Sequence, residues 1–298
     1  MFYTLENGKA EPCEEAWPLE GEHLGVYGFA DAEKIAPRLG LNGAEIRARE
    51  AAHAASYAFC GDMGLLFLHA AGNKREGFRA LICIRKGLMA VFCSDEKAME
   101  HLLLSMLPAQ GDALPKLLCG LLEAPTEGHL ELHEQIENEI AQLENTLLTR
   151  DRHDCVQQIA ALRRRLLVLK RFYEQYMSAL DELEENEGGL YDARALRFFH
   201  LYAARLDRFY HSVLNLRDYV TQVRESYQAE VDISLNNVMK IFTVIAGIFL
   251  PLTLIAGWFG MNLQMPEYKW PFMYPVVIAL SVAVVAAMIL YFKRKKWF

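Results

Sequence analysis

Apolar and polar positions change their rhythm twice along the chain, and each rhythm predicts a different kind of element. Over residues 1–110 short apolar runs stand between polar stretches, with strands expected at 2–5, 24–29, 57–60, 65–69, 79–85 and 88–93. The last two flank Lys86 and Gly87, a two-residue turn that makes them a hairpin. Helices are expected between the strands at 32–39, 44–55 and 96–107. This portion reads as a small α/β domain.

From residue 111 the spacing lengthens to that of long helices. The stretches 130–149 and 154–185 carry apolar residues three and four apart, as in Leu162, Leu166, Leu169 and Tyr173. The acidic run 181–187 followed by Gly188 and Gly189 ends the second of these helices in a loop tip. A solvated helix end accounts for those acids, with cation attraction as the alternative. Beyond Asp192 neither Gly nor Pro occurs until Gly247 and Pro251. Read as one helix to Gly257, this segment is roughly 100 Å long at about 1.5 Å per residue. A small domain cannot bury such a helix, so it is expected to leave a stalk (111–235) and enter a bilayer.

The third rhythm is almost purely apolar. Between 241 and 292 the only charged residues are Glu267 and Lys269. The runs 241–259 and 272–292 each approach the ~20 residues needed to cross the hydrocarbon core. Lys293, Arg294, Lys295 and Lys296 follow the second run, whereas the connection between the runs carries one acid and one base. Basic residues favour the cytoplasmic side, so both termini are expected there, in a multi-pass inner-membrane protein. The opening MFYTLENGKAEP lacks the basic-then-apolar pattern of a secretory leader. The expected parts are therefore a first membrane helix over 236–260, an external loop over 261–271, a second helix over 272–292 and a basic tail over 293–298.

Charge and chemistry narrow the function. The formal net charge of −7 argues against nucleic acid as a partner and suits cations. The six cysteines form no CxxC pair and are expected to be reduced packing residues. His129 and His133, with Glu137 next on the same helix face, have a spacing that can hold zinc or nickel, although a solvent-exposed face is the simpler expectation. The chain has neither a GxxxxGK[ST] phosphate loop nor GxGxxG, and no nucleophile–base arrangement supports an enzyme.

The first membrane helix carries a distinctive seam. Positions seven apart from Asn236 are Thr243, Leu250 and Gly257, and the set offset by three is Met239, Ala246, Thr253 and Gly260. Small residues on a seam serve close helix packing. Asn and Thr oxygens on the same seam are costly in lipid unless they meet water or partners, which favours a ring of helices around a wet channel. Continued toward the cytoplasm, the seam reaches Asp232 and Glu225, which in a symmetric ring would form an acidic collar favouring cations. Leu250 and Met239 are its bulky members and suit closure by dewetting. Pro251 would bend the helix nearby.

Gly260-Met261-Asn262 follows this helix, and here the sequence resembles the CorA family of magnesium transporters. The resemblance extends over NNVMKIFTVIAGIFLPLTLIAGWFGMN, the MPE at 265–267, the YPVV at 274–277 and the KRKKWF tail. It implies an α+β fold: a cytoplasmic α/β funnel domain and a long stalk helix continuing into the first of two C-terminal membrane helices, assembled as a homopentamer. It also implies passive flow of hydrated Mg2+, possible passage of Co2+ and Ni2+, and regulation by cytoplasmic Mg2+. Asn262 would meet the ion through its hydrating waters, beside Gly260 and Met261, with Glu267 in the external loop. Asn236, Met239, Leu250, Thr253 and Gly257 match the family's pore-lining positions. Phe259 stands where a tyrosine is usual. The stalk aspartate of the family's regulatory site has only Asp207 and His200 as nearby candidates. Zinc transport by the same architecture, and a membrane-anchored signalling protein, are the rival expectations.

Overall fold

The computed structural model describes residues 1–6, 9–13, 21–52, 54–71, 78–108, 113–148, 155–261, 272–295 and 297. Seven strands, β1 (Phe2–Glu6), β2 (Lys9–Pro12), β3 (Glu22–Gly28), β4 (Ser56–Cys60), β5 (Met63–His69), β6 (Arg79–Arg85) and β7 (Leu88–Cys93), form one mixed sheet in the order β2-β1-β3-β7-β6-β5-β4. The β3–β7 pair is parallel, with Val26 opposite Val91, and the other pairs are antiparallel. The predicted hairpin is present, and Gly87 turns it with φ at 77°, a conformation that costs a side-chain-bearing residue. β2 was not expected: its sequence, KAEP, has no apolar alternation, and only pairing with β1 makes it a strand.

Period-two alternation puts Leu65, Phe67, Leu81, Cys83, Ala90 and Phe92 on one face of the sheet. There they meet Ala32 of the short helix α1 (Ala32–Ile35), Ala36 just after it, and Ile46 of α2 (Gly43–Ala52). The intervening Leu66, Leu68, Ile82 and Val91 are buried as well. Both faces are thus covered, which explains why these strands read as continuous apolar runs. α3 (Glu96–Ser105) and α4 (Ala113–Glu123) pack at β3, and α6 (Cys155–Glu184) packs at β4. Burial pushes the thiols of Cys83, Cys93 and Cys119 up to about 12, so at neutral pH they pack as uncharged groups.

α5 (His129–Leu148) and α6 pack with the first part of α7 (Ala193–Phe259). The buried face of α7 runs Phe199, Tyr202, Leu206, Phe209, Val213, Leu216, Val220 and Val223, alternating three- and four-residue steps. Asn186 shapes the loop before α7, its side chain accepting from the Tyr191 N–H and donating to the Tyr191 carbonyl, both at 3.1 Å. Asp192 then caps α7, accepting from the Ala195 N–H at 2.8 Å. The helix is unbroken for 67 residues and ends at Phe259. The chain divides into two compact units, Met1–Val223 and Arg224–Phe298.

The expectation of an exposed face at His129 and His133 is corrected. The two residues are 0% and 4% exposed. His129 Nδ1 lies 2.5 Å from the Tyr173 hydroxyl, which lies 3.1 Å from His133 Nε2, and His133 Nδ1 lies 3.1 Å from Ser212 Oγ. A His–Tyr–His–Ser chain therefore ties α5, α6 and α7 together, with Phe172 and Phe209 against its rings. Spacing alone cannot separate a buried pair of histidines from a surface pair, because both sit on one helix face.

Desolvation holds both imidazoles at about 4, helped at His129 by the neighbouring His133 and opposed there by the backbone of Ala71. The unfolded chain binds those protons near the ordinary value of 6.5, so it takes up more protons than the folded chain between 6.5 and 4. Stability is therefore full above 6.5 and falls as pH drops through this window. At pH 5 the loss is on the order of 2 kcal/mol per histidine. Thermal melts of the detergent-solubilised protein between pH 7.5 and 4.5 should show a falling midpoint, and His133→Gln should flatten the slope. A midpoint independent of pH would refute the coupling.

Candidate ion pathway

The second unit contains the end of α7 together with α8 (Met273–Arg294). Both helices are long and apolar enough to cross a membrane, and little of either apolar span is buried within the chain. They run antiparallel, with Gly247 against Met288 and Phe292 and Leu252 sharing a pocket with Ser281, Val282 and Val285. Val244 is buried, and Gly247, Ile248, Pro251, Leu252, Ile255 and Phe259 are half-buried. At 3.6 residues per turn these residues occupy one side of α7.

From Met239 onward the seam read from the sequence lies on roughly the opposite side, whereas Asn236 is nearly in line with Gly247. Asn236, Met239, Thr243, Ala246, Leu250, Thr253, Gly257 and Gly260 are all exposed, as are Glu225 and Asp232. A Cβ added at Gly257 would meet nothing within 4 Å. Leu250, Thr253, Leu254, Gly257, Trp258 and Met261 line a shallow open groove along this face. Near the end of the helix the Gly260 N–H still donates to the Ala256 carbonyl at 2.8 Å. Asn262 and Glu267 lie outside the described residues.

The hydroxyls of Thr243 and Thr253 donate to the Met239 and Phe249 carbonyls of their own helix, each at 2.8 Å. Their protons need no water, and only acceptor lone pairs remain to be satisfied. Asn236, whose amide has both donors and acceptors, makes the stronger demand for a wet seam.

The regulatory candidates do not gather into a site. His200 lies 3.8 Å from a Glu184 carboxylate oxygen, and Asp207 lies 3.6 Å from His211 on the next turn of its own helix. Among the described residues no three His, Cys, Asp or Glu converge to hold a metal.

A model of the CorA-like Mg2+ transporter protein family matches residues 30–294. The chain belongs to that family. A cobalt/magnesium transport protein CorA of Thermotoga maritima is 35% identical over 182 residues, which cover 61% of this chain and 52% of the relative. The magnesium transport protein CorA of Escherichia coli is 47% identical over 68 residues, 22% of either chain. The chain thus spans only about half the length of the first of these CorA relatives and less of the second. The complete structure of the CorA magnesium transporter from Methanocaldococcus jannaschii superimposes with a TM-score of 0.82 at 18% identity, over 100% of this chain and 98% of that one. That likeness establishes the CorA fold for the mixed sheet, the long helix and the two apolar C-terminal helices.

Sequence reasoning missed the other side of the CorA membrane helix. Gly247 is where α8 approaches, and its signal was a lone glycine in phase with Val244, Ile248, Pro251 and Ile255. A Cβ there would stand 2.9 Å from Phe292 Cζ and 3.2 Å from Met288 Cε. Gly247→Leu should destabilise the helix pair by about 1–3 kcal/mol through overpacking. Gly257→Ala, on the uncovered side, should leave the thermal midpoint unchanged or raised. Equal midpoints for the two variants would contradict the assignment of covered and uncovered sides.

Proposed function

We propose that the chain forms a homopentameric, passive channel for hydrated Mg2+ in the cell inner membrane, with Co2+ and Ni2+ as further cargo. Residues 1–235 and both termini lie on the cytoplasmic side, and the loop 261–271 faces outward. One observation carries the reading. In a chain of the CorA-like family, the side of α7 that α8 leaves uncovered is the side bearing small and oxygen-bearing residues. A ring of copies would cover it. The cobalt in the name of the Thermotoga relative favours Co2+ as a second ion.

The chemistry suits a cation that keeps its water. Mg2+ prefers six oxygens and dehydrates reluctantly, so it offers a pore mainly water protons. Thr243 and Thr253, with their own protons committed, offer acceptor lone pairs to those waters. Asn262, neutral, would hydrogen-bond the hydrated ion at the outer mouth without stripping it. Glu225 and Asp232 raise the local cation concentration at the inner mouth. Leu250, with Met239 deeper, narrows the path with apolar surface. An inside-negative potential supplies about 2.3 kcal/mol per charge per 100 mV, doubled for a divalent ion, so uptake requires no nucleotide.

The test is ion flux into liposomes holding the purified protein, comparing Mg2+, Co2+, Ni2+ and Zn2+, together with its mass in detergent. Flux from a monomer or dimer would exclude the ring, and a Zn2+ preference would transfer the reading to zinc. Leu250→Ser should raise basal Mg2+ leak at high internal Mg2+, by roughly tenfold if it removes about 1.4 kcal/mol of barrier. An unchanged leak in an assembled variant moves the constriction to Met239.

Asn262→Ala should abolish Mg2+ flux while assembly and membrane insertion persist. Asn262→Asp would crowd carboxylates, some protonated by mutual repulsion, and should bind cations more tightly while conducting poorly. Normal transport by Asn262→Ala would reduce the Gly-Met-Asn motif to a structural turn.

A further inference from the structure

We propose that the end of α8 is a binding site for the phosphate headgroups of anionic phospholipids, built by a fold-back of the chain after the helix. The proposal rests on reading α7 and α8 as membrane-spanning. Phe292, 4% exposed, is the pivot. Its ring lies against Gly247 of α7 on one side and packs with the Trp297 ring, centroids 5.5 Å apart, on another. The Trp297 N–H donates to the Phe292 carbonyl at 3.2 Å, and the Lys295 N–H donates to the Tyr291 carbonyl at 3.1 Å. The chain therefore turns back on itself. Lys293, Arg294 and Lys295 are held between two fixed aromatic residues with their side chains exposed.

A fourth cation lies on the neighbouring helix. Lys240 precedes Val244 by four residues and Gly247 by seven, which places it on the side of α7 that α8 covers. Just inward of these cations the surface is apolar, with Ile241, Phe242 and Ile245 exposed on α7 and Ile289, Leu290 and Tyr291 exposed on α8. Cations and a tryptophan at the edge of an exposed apolar belt stand at the depth of lipid phosphates.

Among the described residues of the second unit, no carboxylate side chain follows Asp232. After Asp232 the only carboxylate side chain in the sequence is Glu267, which precedes the 22-residue α8, whereas the cluster follows it. Asp232 is more than two helical turns from Lys240. Lys293, Arg294 and Lys295 on an apolar rim, with Lys240 on the neighbouring helix, are placed to meet external anions, and a bilayer supplies these as phosphodiesters. The fold-back spares the lipid part of the entropic cost of ordering three long side chains.

The experiment reconstitutes the full-length protein in nanodiscs of phosphatidylcholine and phosphatidylglycerol in equal parts. Lipid retained per chain after extraction is then counted by native mass spectrometry. Phosphatidylglycerol should be retained over phosphatidylcholine, and K293Q/R294Q/K295Q should cut its retention at least about threefold. K293R/K295R should keep it. Trp297→Ala, with every charge in place, should lower retention by a smaller factor of about two, because the cations are no longer held together. Equal retention of the two lipids by the wild type, or undiminished retention in the glutamine variant, would overturn the proposal. So would complete displacement by millimolar inorganic phosphate, which would mark a site for free anions. Mg2+ flux into liposomes made from the same protein preparation and lipids separates the two readings, since absent flux with selective lipid retention overturns transport alone.

Discussion

A single antiparallel helix can shield only one side of the helix it packs against. In the second unit that limit decides what α7 can be. Val244, Gly247, Ile248, Pro251, Leu252 and Ile255 spend their side on α8, and what remains must meet lipid, water or other copies. Lipid suits Ile241, Phe242 and Phe249. It suits Asn236 poorly and gains little from Gly257 or Ala246, which offer almost no apolar surface to bury. Ala246 and Gly257 sit on the side away from α8, and this segregation makes a shared interior the economical arrangement.

The same helix does different work in the first unit. From Phe199 to Val223 its buried face follows a strict heptad rhythm of large apolar residues against α5 and α6, with Tyr202 and Phe209 among the bulkiest. A closed bundle core demands large side chains, whereas the later seam, Leu250 and Met239 apart, is built of small and polar ones. The change from Phe, Tyr, Leu and Val to Asn, Thr, Ala and Gly on successive stretches of one helix is thus a change of purpose written in side-chain volume.

Much of this was legible in the sequence because it depends on periodicity and on runs. The six anticipated strands, the β6–β7 hairpin, the long helix and the two apolar spans all rest on patterns that neighbouring residues carry together. What escaped depends on partners distant in sequence. β2 is a strand because β1 lies beside it, not because KAEP favours extension. His129 and His133 are buried because Tyr173 and Ser212 arrive from two other helices, and an i, i+4 spacing cannot report which side those helices approach. Gly247 was passed over for the opposite reason. The glycines that drew attention were on the polar seam, and one among aliphatic residues looks like ordinary helix filler until Phe292 is seen against it.

Pro251 gives that same turn a mechanical character. Having no N–H, it cannot bond the carbonyl four residues back, which belongs to Gly247. The span therefore lacks a rung of its hydrogen-bond ladder in the turn whose other end is gripped by α8, and Leu250 lies between the two. A rod with one missing rung is most compliant there. Strain reaching α7 from either end would be taken up preferentially at this turn, which carries Leu250 beside the missing rung.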